Sequence, residues 1–154
     1  MAHHYQARVA WKRGDATFSD NRYSRGHEWV FDGGVKVPAS SSPSIVPRYS
    51  VEHAVDPEEA LVASASSCHM LWFLSLAASR GFVVDSYVDD ASAVMEKNAE
   101  GKLAITRITL RPRIAFSGDA VPDSAALHEL HHDAHASCFI ANSLKSEIVV
   151  EAGA

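Results

Sequence analysis

The sequence predicts an α+β fold with antiparallel sheets and two central helices, and three observations carry this prediction. Apolar residues alternate with other residues near the start of the chain, beginning at 5–11, which indicates strands. An uncharged, mostly apolar stretch at 60–79 follows residues that open helices. Two long alternating segments then precede a second helix, and runs of strands interrupted by helices are typical of α+β proteins. The 154 residues, 47% of them hydrophobic, suit a single domain over 1–154.

The N-terminal part reads as short strands joined by turns. Asp32-Gly33-Gly34 is a strong hairpin signal between two of these strands, and the Ser- and Pro-rich segment 38–47 is expected to be a loop. The predicted strands are 5–11, a second strand at 16–18, 27–31 and 35–37.

The first helix has a clear beginning and end. Asp56 suits the N-cap, Pro57 the first helical position, and Glu59 completes a capping box. The helix is expected to run to about Arg80, where Gly81 stops it. It is long enough to span a membrane, but its serines and one histidine favour a helix buried in a protein core.

The second half of the chain predicts two long strands, a helix and a last strand. The strands cover 83–96 and 103–116, with a hairpin turn at 98–101 between them. Pro122 and Asp123 open the second helix, which is expected to reach Ser137. The residues 146–151 close the chain as a strand.

Charge and targeting signals narrow the function classes. Fourteen Lys and Arg residues against nineteen Asp and Glu residues give a net charge of −5. This balance argues against binding to nucleic acid or to an anionic membrane surface. The first residues lack the pattern of a signal peptide, so we expect a cytoplasmic protein.

The two cysteines leave two interpretations open. Cys68 lies within the first predicted helix, and Cys138 follows the second. In a reducing compartment such thiols are either buried packing residues or redox groups. They do not form a CxxC pair, and their spacing alone does not show that they meet.

Two motifs give the sequence a family resemblance. The segment Asp56-Pro57-Glu58-Glu59-Ala60-Leu61, followed by Ser66-Ser67-Cys68, resembles the Pro-Glu…Ser/Ala-Cys helix of the OsmC/Ohr family. Ala134-His135-Ala136-Ser137-Cys138 resembles the second motif of that family. The resemblance implies a β-β-β-α-β-β-α-β fold and an intertwined homodimer with its sites near the subunit interface. Phe139-Ile140-Ala141 departs from the Pro-containing sequence of the better-known branch, which indicates a less-characterised OsmC-like branch.

The same resemblance implies an activity and site residues. The family contains thiol peroxidases that reduce organic hydroperoxides, with no cofactor beyond a dithiol reductant of lipoyl or thioredoxin type. By this resemblance Cys68 is the peroxidatic cysteine and Cys138 the resolving cysteine. Glu58 matches a glutamate that orients an arginine beside the reactive sulfur.

The arginine itself has four candidates. Arg25 is favoured because it directly precedes a predicted strand, which would hold it rigidly; Arg48 is second, followed by Arg22 and Arg13. Glu58 lies ten residues before Cys68. In one helix that separation is about 15 Å, so Glu58 acts only through a long arginine or from a partner subunit.

Histidines provide the alternative functions. His69 follows the candidate reactive cysteine, where it either tunes the thiol or is a satisfied core histidine, and the core histidine is favoured. Four histidines of the second helix have spacings of three and four residues, which would suit a metal site with Cys138 close by: His128, His131, His132 and His135. A non-catalytic dimeric binding protein on the same scaffold is the remaining alternative, because fold does not determine function.

Overall fold

A computed structural model describes residues 1–151 and confirms the α+β class. Contacts divide the chain into two compact units, residues 1–60 and the residues from Leu61 onward. The expectation of a single domain stays a prediction. The elements in chain order are β1 (Ala7–Ala10), β2 (His27–Phe31), β3 (Lys36–Ala39), α1 (Pro57–Ser79), β4 (Val83–Asp89), β5 (Ser92–Lys97), β6 (Leu103–Leu110), β7 (Pro112–Ser117), α2 (Ser124–Ser137), a short 3-10 turn (Ala141–Ser143) and β8 (Glu147–Val150).

The N-terminal unit is built on a three-stranded antiparallel sheet. Its strand order is β1-β2-β3, and the predicted hairpin turn joins β2 to β3. The predicted loop is shortened at its start because β3 continues through Pro38 and Ala39. The buried Ser40 follows, and its Oγ accepts a hydrogen bond from the Val51 backbone N–H at 2.9 Å, which fixes the return of the loop.

The predicted strand at 16–18 is wrong, because an aromatic cluster organises this segment as a loop. Phe18 stacks on Tyr23 with ring centroids 4.8 Å apart, and Trp11 meets the edge of Tyr23 at 5.3 Å. The Trp11 Nε1 donates to the Ser24 carbonyl at 2.8 Å. Asn21 takes a left-handed φ of 61°, which turns the chain between the two aromatic residues.

Helix α1 begins and ends as the sequence predicts. The Glu59 N–H donates to Asp56 Oδ1 at 2.7 Å, and the Asp56 N–H donates to Glu59 Oε2 at 3.2 Å, which is a complete capping box. At the other end Gly81 has φ +80°. Its N–H bonds to the Ala78 carbonyl and the Phe82 N–H to the Ala77 carbonyl, which is the Schellman arrangement.

Each of the two predicted long strands is in fact two strands. The ribbon splits into a β4-β7 pair and a β5-β6 pair, which belong to different sheets. At the break Asp89 Oδ1 accepts the Arg111 backbone N–H at 2.6 Å, and Pro112 has no N–H with which to continue the ladder. β8 joins the edge of β6 in parallel, so the sheets are not wholly antiparallel.

Two apolar clusters form the core of the C-terminal unit. In the first, Phe73 and Ala77 of α1 pack with Leu130 and Ala134 of α2. In the second, Ala65 of α1 packs with residues of β6, namely Ile108 and Leu110. Helix α1 therefore buries one stripe, at every fourth residue from Ala65 to Ala77.

Helix α1 is also the one segment of residues 1–151 with the length and hydropathy of a membrane span. Core helices of soluble proteins meet the same criterion. The stripe buried within this chain includes the polar His69, and Leu71 on another side of the helix is 60% exposed. A single chain thus leaves much of this apolar helix without cover.

Candidate functional site

Cys68 lies in the middle of α1, half-buried beside an open pocket of about 490 Å³. The helix presents Leu71 and Trp72 to this pocket, since residues three and four positions apart share a helix face. Phe139 and Ile140 line another part of the wall. The Trp72 and Phe139 rings meet edge to face, with centroids 5.5 Å apart. The reactive-sulfur candidate therefore borders an apolar surface.

Cys138 ends α2 as its C-cap, and its side chain is buried. Its Sγ accepts a hydrogen bond from the Ala141 N–H at 3.4 Å. Burial raises the pKa of the Cys138 thiol, a hydrogen bond with Cys68 raises it further, and backbone N–H groups partly oppose the change. Cys138 is therefore a protonated thiol at neutral pH.

The structure brings the two predicted cysteines together. Both are free thiols, and Cys68 lies close enough to Cys138 to raise the pKa of the Cys138 thiol. The helices α1 and α2 carry them to one place, although 70 residues separate them in the sequence. Sequence spacing could not have shown this contact.

Arg25 is held rigidly in the N-terminal unit. Its Nη2 donates to Asn21 Oδ1 at 2.8 Å and to the Asn21 carbonyl at 3.2 Å, and its Nη1 donates to the Tyr23 carbonyl. The guanidinium carbon also lies 3.7 Å from the centroid of the Tyr23 ring. The alternatives Arg13, Arg22 and Arg48 are exposed.

Glu58 lies in the first turn of α1, and its Oε2 is buried without a hydrogen-bond partner. Within residues 1–151, Glu58 and Arg25 do not form an ion pair with each other. Both belong to the N-terminal unit, whereas the two cysteines belong to the other unit. A meeting of Arg25 with Cys68 stays a prediction.

His69 has a buried partner that the sequence did not reveal. Its Nε2 lies 3.0 Å from Nδ1 of His131, and the two rings are nearly parallel. Burial, and then the neighbouring histidines, lower the pKa of His69 to about 4; burial likewise lowers the pKa of His131 to about 4. His69 is buried as a core histidine, as favoured from the sequence, and one of its ring nitrogens is satisfied, but His69 Nδ1 and His131 Nε2 have no partner.

The alternative of a metal site gains no support from the described residues. Among residues 1–151, no three His, Cys, Asp or Glu side chains converge as metal ligands would. The histidines of α2 differ in burial, since His131 is buried whereas His128, His132 and His135 are exposed. A helical spacing of three or four residues brings side chains near one another but does not provide a third ligand.

The fold and the paired thiols define an α+β protein with two cysteines in contact beside an apolar pocket. The sequence model of the OsmC family, described as "OsmC-like protein", matches residues 50–153. The chain therefore belongs to the OsmC family. An OsmC-like protein of unknown function from Vibrio cholerae is 51% identical over 99% of this chain and 100% of that chain, with a TM-score of 0.96.

Two more distant structures share the fold. An organic hydroperoxide resistance protein from Elizabethkingia anophelis has a TM-score of 0.69 at 16% identity, covering 99% of this chain and 95% of that chain. The organic hydroperoxide resistance protein OhrB of Bacillus subtilis has a TM-score of 0.65 at 14% identity, covering 98% of each chain. A comparison with curated proteins found no match.

Proposed function

We propose that this chain is a thiol-dependent peroxidase that reduces organic hydroperoxides. The observation that carries the proposal is the contact between the Cys68 and Cys138 thiols beside an apolar pocket. Membership of the OsmC family and the fold shared with organic hydroperoxide resistance proteins support it.

In the first step the Cys68 thiolate attacks the terminal oxygen of the hydroperoxide. The sulfur forms an S–O bond while the O–O bond breaks, so Cys68 becomes a sulfenic acid and the substrate leaves as an alkoxide. The alkoxide takes up a proton to give the alcohol. The raised pKa of Cys138 supports this order, because a buried protonated thiol is the poorer nucleophile of the two.

In the second step Cys138 resolves the sulfenic acid. Its sulfur bonds to the Cys68 sulfur, the hydroxyl group leaves, and together with the Cys138 proton it forms water. An external dithiol of lipoyl or thioredoxin type then reduces the disulfide and is itself oxidised to a disulfide. A reducing cytoplasm would maintain that dithiol, and we therefore propose a cytoplasmic protein.

Arg25 and Glu58 complete the proposed site. A guanidinium near Cys68 stabilises the thiolate and donates hydrogen bonds to the peroxide oxygens as negative charge develops on the leaving group. The hydrogen bonds of Arg25 to Asn21 and Tyr23 support this role, because they fix the side chain before substrate binds. Glu58, with its buried unpartnered oxygen, is the proposed orienting acid, acting in the homodimer.

The pocket beside Cys68 supports an organic substrate. Leu71, Trp72 and Phe139 offer apolar surface to a carbon group attached to the hydroperoxide, whereas hydrogen peroxide has no such group to bury. The net charge of −5 favours a small neutral substrate over nucleic acid or an anionic membrane.

Mass spectrometry of the intact protein after one equivalent of cumene hydroperoxide tests the proposal. We expect wild type to lose two hydrogens as an internal disulfide that a dithiol reverses. Cys138→Ser should accumulate a Cys68 sulfenic acid, detected with a trapping reagent, because no internal thiol captures it. Cys68→Ser should not react, because a hydroxyl group is a poor nucleophile toward peroxide.

The same experiment separates the alternatives. A wild-type protein that keeps both thiols after peroxide treatment contradicts the peroxidase and favours a non-catalytic binding protein. Normal turnover by Cys138→Ser contradicts the two-cysteine mechanism while leaving a peroxidase. Metal that stays bound at one equivalent after dialysis would favour the metal-binding alternative, for which residues 1–151 show no cluster of three ligands.

A further inference from the structure

A second pocket of the C-terminal unit lies outside the proposed peroxidase site. Its volume is about 670 Å³, larger than the pocket beside Cys68, and neither cysteine lines it. It extends along α2 and is closed on one side by β8. Six side chains carry the argument: His128, His131, His132, His135, Ile148 and Val150.

His131 gives this pocket a buried polar atom without a partner. The residue is 5% exposed, and its Nδ1 is engaged with His69 Nε2 at 3.0 Å. The other ring nitrogen, Nε2, has no hydrogen-bond partner. Leaving a buried polar group unpaired is unfavourable, so a ligand atom that pairs with it stabilises the complex. The His69–His131 pair can take the tautomer in which His131 Nε2 carries a proton to donate.

The imidazoles around the pocket suit an anionic partner, because an imidazole N–H can donate a hydrogen bond to it. The three exposed imidazoles of His128, His132 and His135 line the pocket together with His131. The carboxylate on its wall, Asp123, is occupied as the N-cap of α2, because its Oδ1 accepts the Ala126 N–H at 2.8 Å. No acidic residue lies in the first turn of α2, where the helix dipole also favours negative charge.

Apolar side chains form a further part of the wall. Ile148 and Val150 of β8 and Leu127 of α2 line the pocket together with the histidines. Such a wall binds a carbon chain and excludes water from it. A ligand that fits both the imidazoles and the apolar wall has an anionic head and an apolar tail. Small-molecule sites commonly combine a few polar groups with apolar lining in this way.

We propose that this pocket binds an organic carboxylate with an apolar tail, its head on His131 and the neighbouring imidazoles and its tail on Ile148 and Val150. The site is separate from the peroxidase chemistry and holds whether or not Cys68 reduces peroxides. The head group contacts His128, His131, His132 and His135, with His69 behind His131 and with Asp89 and Asp123 as the nearby acids.

Isothermal titration calorimetry with octanoate tests the proposal on the full chain. Octanoate should bind, whereas octanol, which has the tail alone, and acetate, which has the head alone, should bind at least about tenfold more weakly.

Variants locate the binding. His128→Glu places a negative charge at the exposed edge of the pocket and should weaken octanoate binding by about tenfold or more. The matched control is His53→Glu, the same charge change at an exposed histidine of the other unit, which should bind as wild type does. His131→Phe removes the donor but keeps a ring, and circular dichroism checks that it folds.

Each outcome decides the proposal. Weaker binding in His128→Glu and in folded His131→Phe, with wild-type binding in His53→Glu, supports it. If His131→Phe does not fold, the pair of glutamate variants decides alone. Equal binding in His128→Glu and wild type, binding of octanol as tight as octanoate, or no heat with octanoate overturns it.

Discussion

At the scale of single residues, the two thiols differ in how deeply they are buried. Cys138 is buried, and the backbone N–H groups near its sulfur only partly offset the cost of placing a thiolate there. Cys68 is half-buried and borders an open pocket. Peroxide therefore reaches Cys68 more readily, and a positively charged partner would act on Cys68 first.

The proposed partner leads to the first prediction at this scale. Arg25→Ala should slow alkylation of Cys68 at neutral pH by about tenfold, because loss of one nearby charge disfavours the thiolate by about 1.4 kcal/mol. Alkylation rates measured against pH in the Cys138→Ser background report on Cys68 alone. Arg48→Ala serves as the control, since Arg48 is an exposed arginine of the same unit. If the two variants exchange behaviour, Arg48 is the partner.

The buried histidine pair predicts acid sensitivity. In the folded chain the pKa of both His69 and His131 is about 4, whereas an unfolded histidine has about 6.5. The unfolded chain therefore binds more protons between these values, so stability is full above about pH 6.5 and falls as the pH approaches 4. The other groups near the pair are His135, His128 and Asp89.

Urea unfolding measured from about pH 7.5 to about pH 4 checks the predicted acid sensitivity. The free energy of unfolding should fall by an amount on the order of 3 kcal/mol because of the histidine pair. The double variant His69→Leu/His131→Leu should lose less stability over the same range, because it has no buried imidazole to protonate. His53→Gln, at an exposed site, should follow wild type. Parallel curves for the double variant and wild type would contradict the assignment to this pair.

The sequence predicted some of these residues and not others. The two cysteines and Glu58 came from motifs that lie within short segments, so no tertiary information was needed to select them. The pairing of His69 with His131 joins positions 62 residues apart, and no local pattern encodes it. The contact of Arg25 with the Tyr23 ring also depends on a loop that the strand pattern misread.

At the scale of elements, the helix ends were predictable and the strand ends were not. The capping box and the terminal glycine of α1 are local, because each involves residues within one turn of the other. The break between β4 and β5 depends on Asp89 accepting the N–H of Arg111, which is 22 residues away. Alternation of apolar residues continues across the break, so periodicity alone joined the two strands.

The end of α1 gives a prediction for this scale. Gly81 has φ +80°, and a methyl group there would meet no atom within 4 Å. Gly81→Ala should therefore cost about 1 kcal/mol through backbone strain alone. Gly33→Ala is the matched control, because that position is equally open and has no positive φ. Chemical denaturation of both variants measures the difference, and equal stabilities would show that the left-handed conformation carries no cost.

At the scale of the whole molecule, apolar surface exceeds what one chain covers. The most apolar 18 residues of helix α1 have a mean hydropathy of 1.5, which is typical of a core helix. Only 22% of these residues are buried. Leu71 and Phe139 are 60% and 66% exposed, and both border the pocket beside Cys68. Water against so much apolar surface is unfavourable, so another surface is expected to cover it.

We propose that the covering surface is a second copy of this chain, and the last prediction tests it. Light scattering at micromolar concentration should give twice the chain mass of 16.7 kDa.

Leu71→Glu should shift the protein toward the monomer, because a dimer that buries this face would have to bury an unpaired charge. Leu103→Glu is the matched control, since Leu103 is 68% exposed on β6 and does not line the pocket that Leu71 borders. A wild-type monomer, or a Leu71→Glu protein that remains as dimeric as Leu103→Glu, would show that α1 is covered in some other way. Because Leu71 also lines the pocket of Cys68, the face that the second copy would cover includes a wall of the proposed peroxidase site.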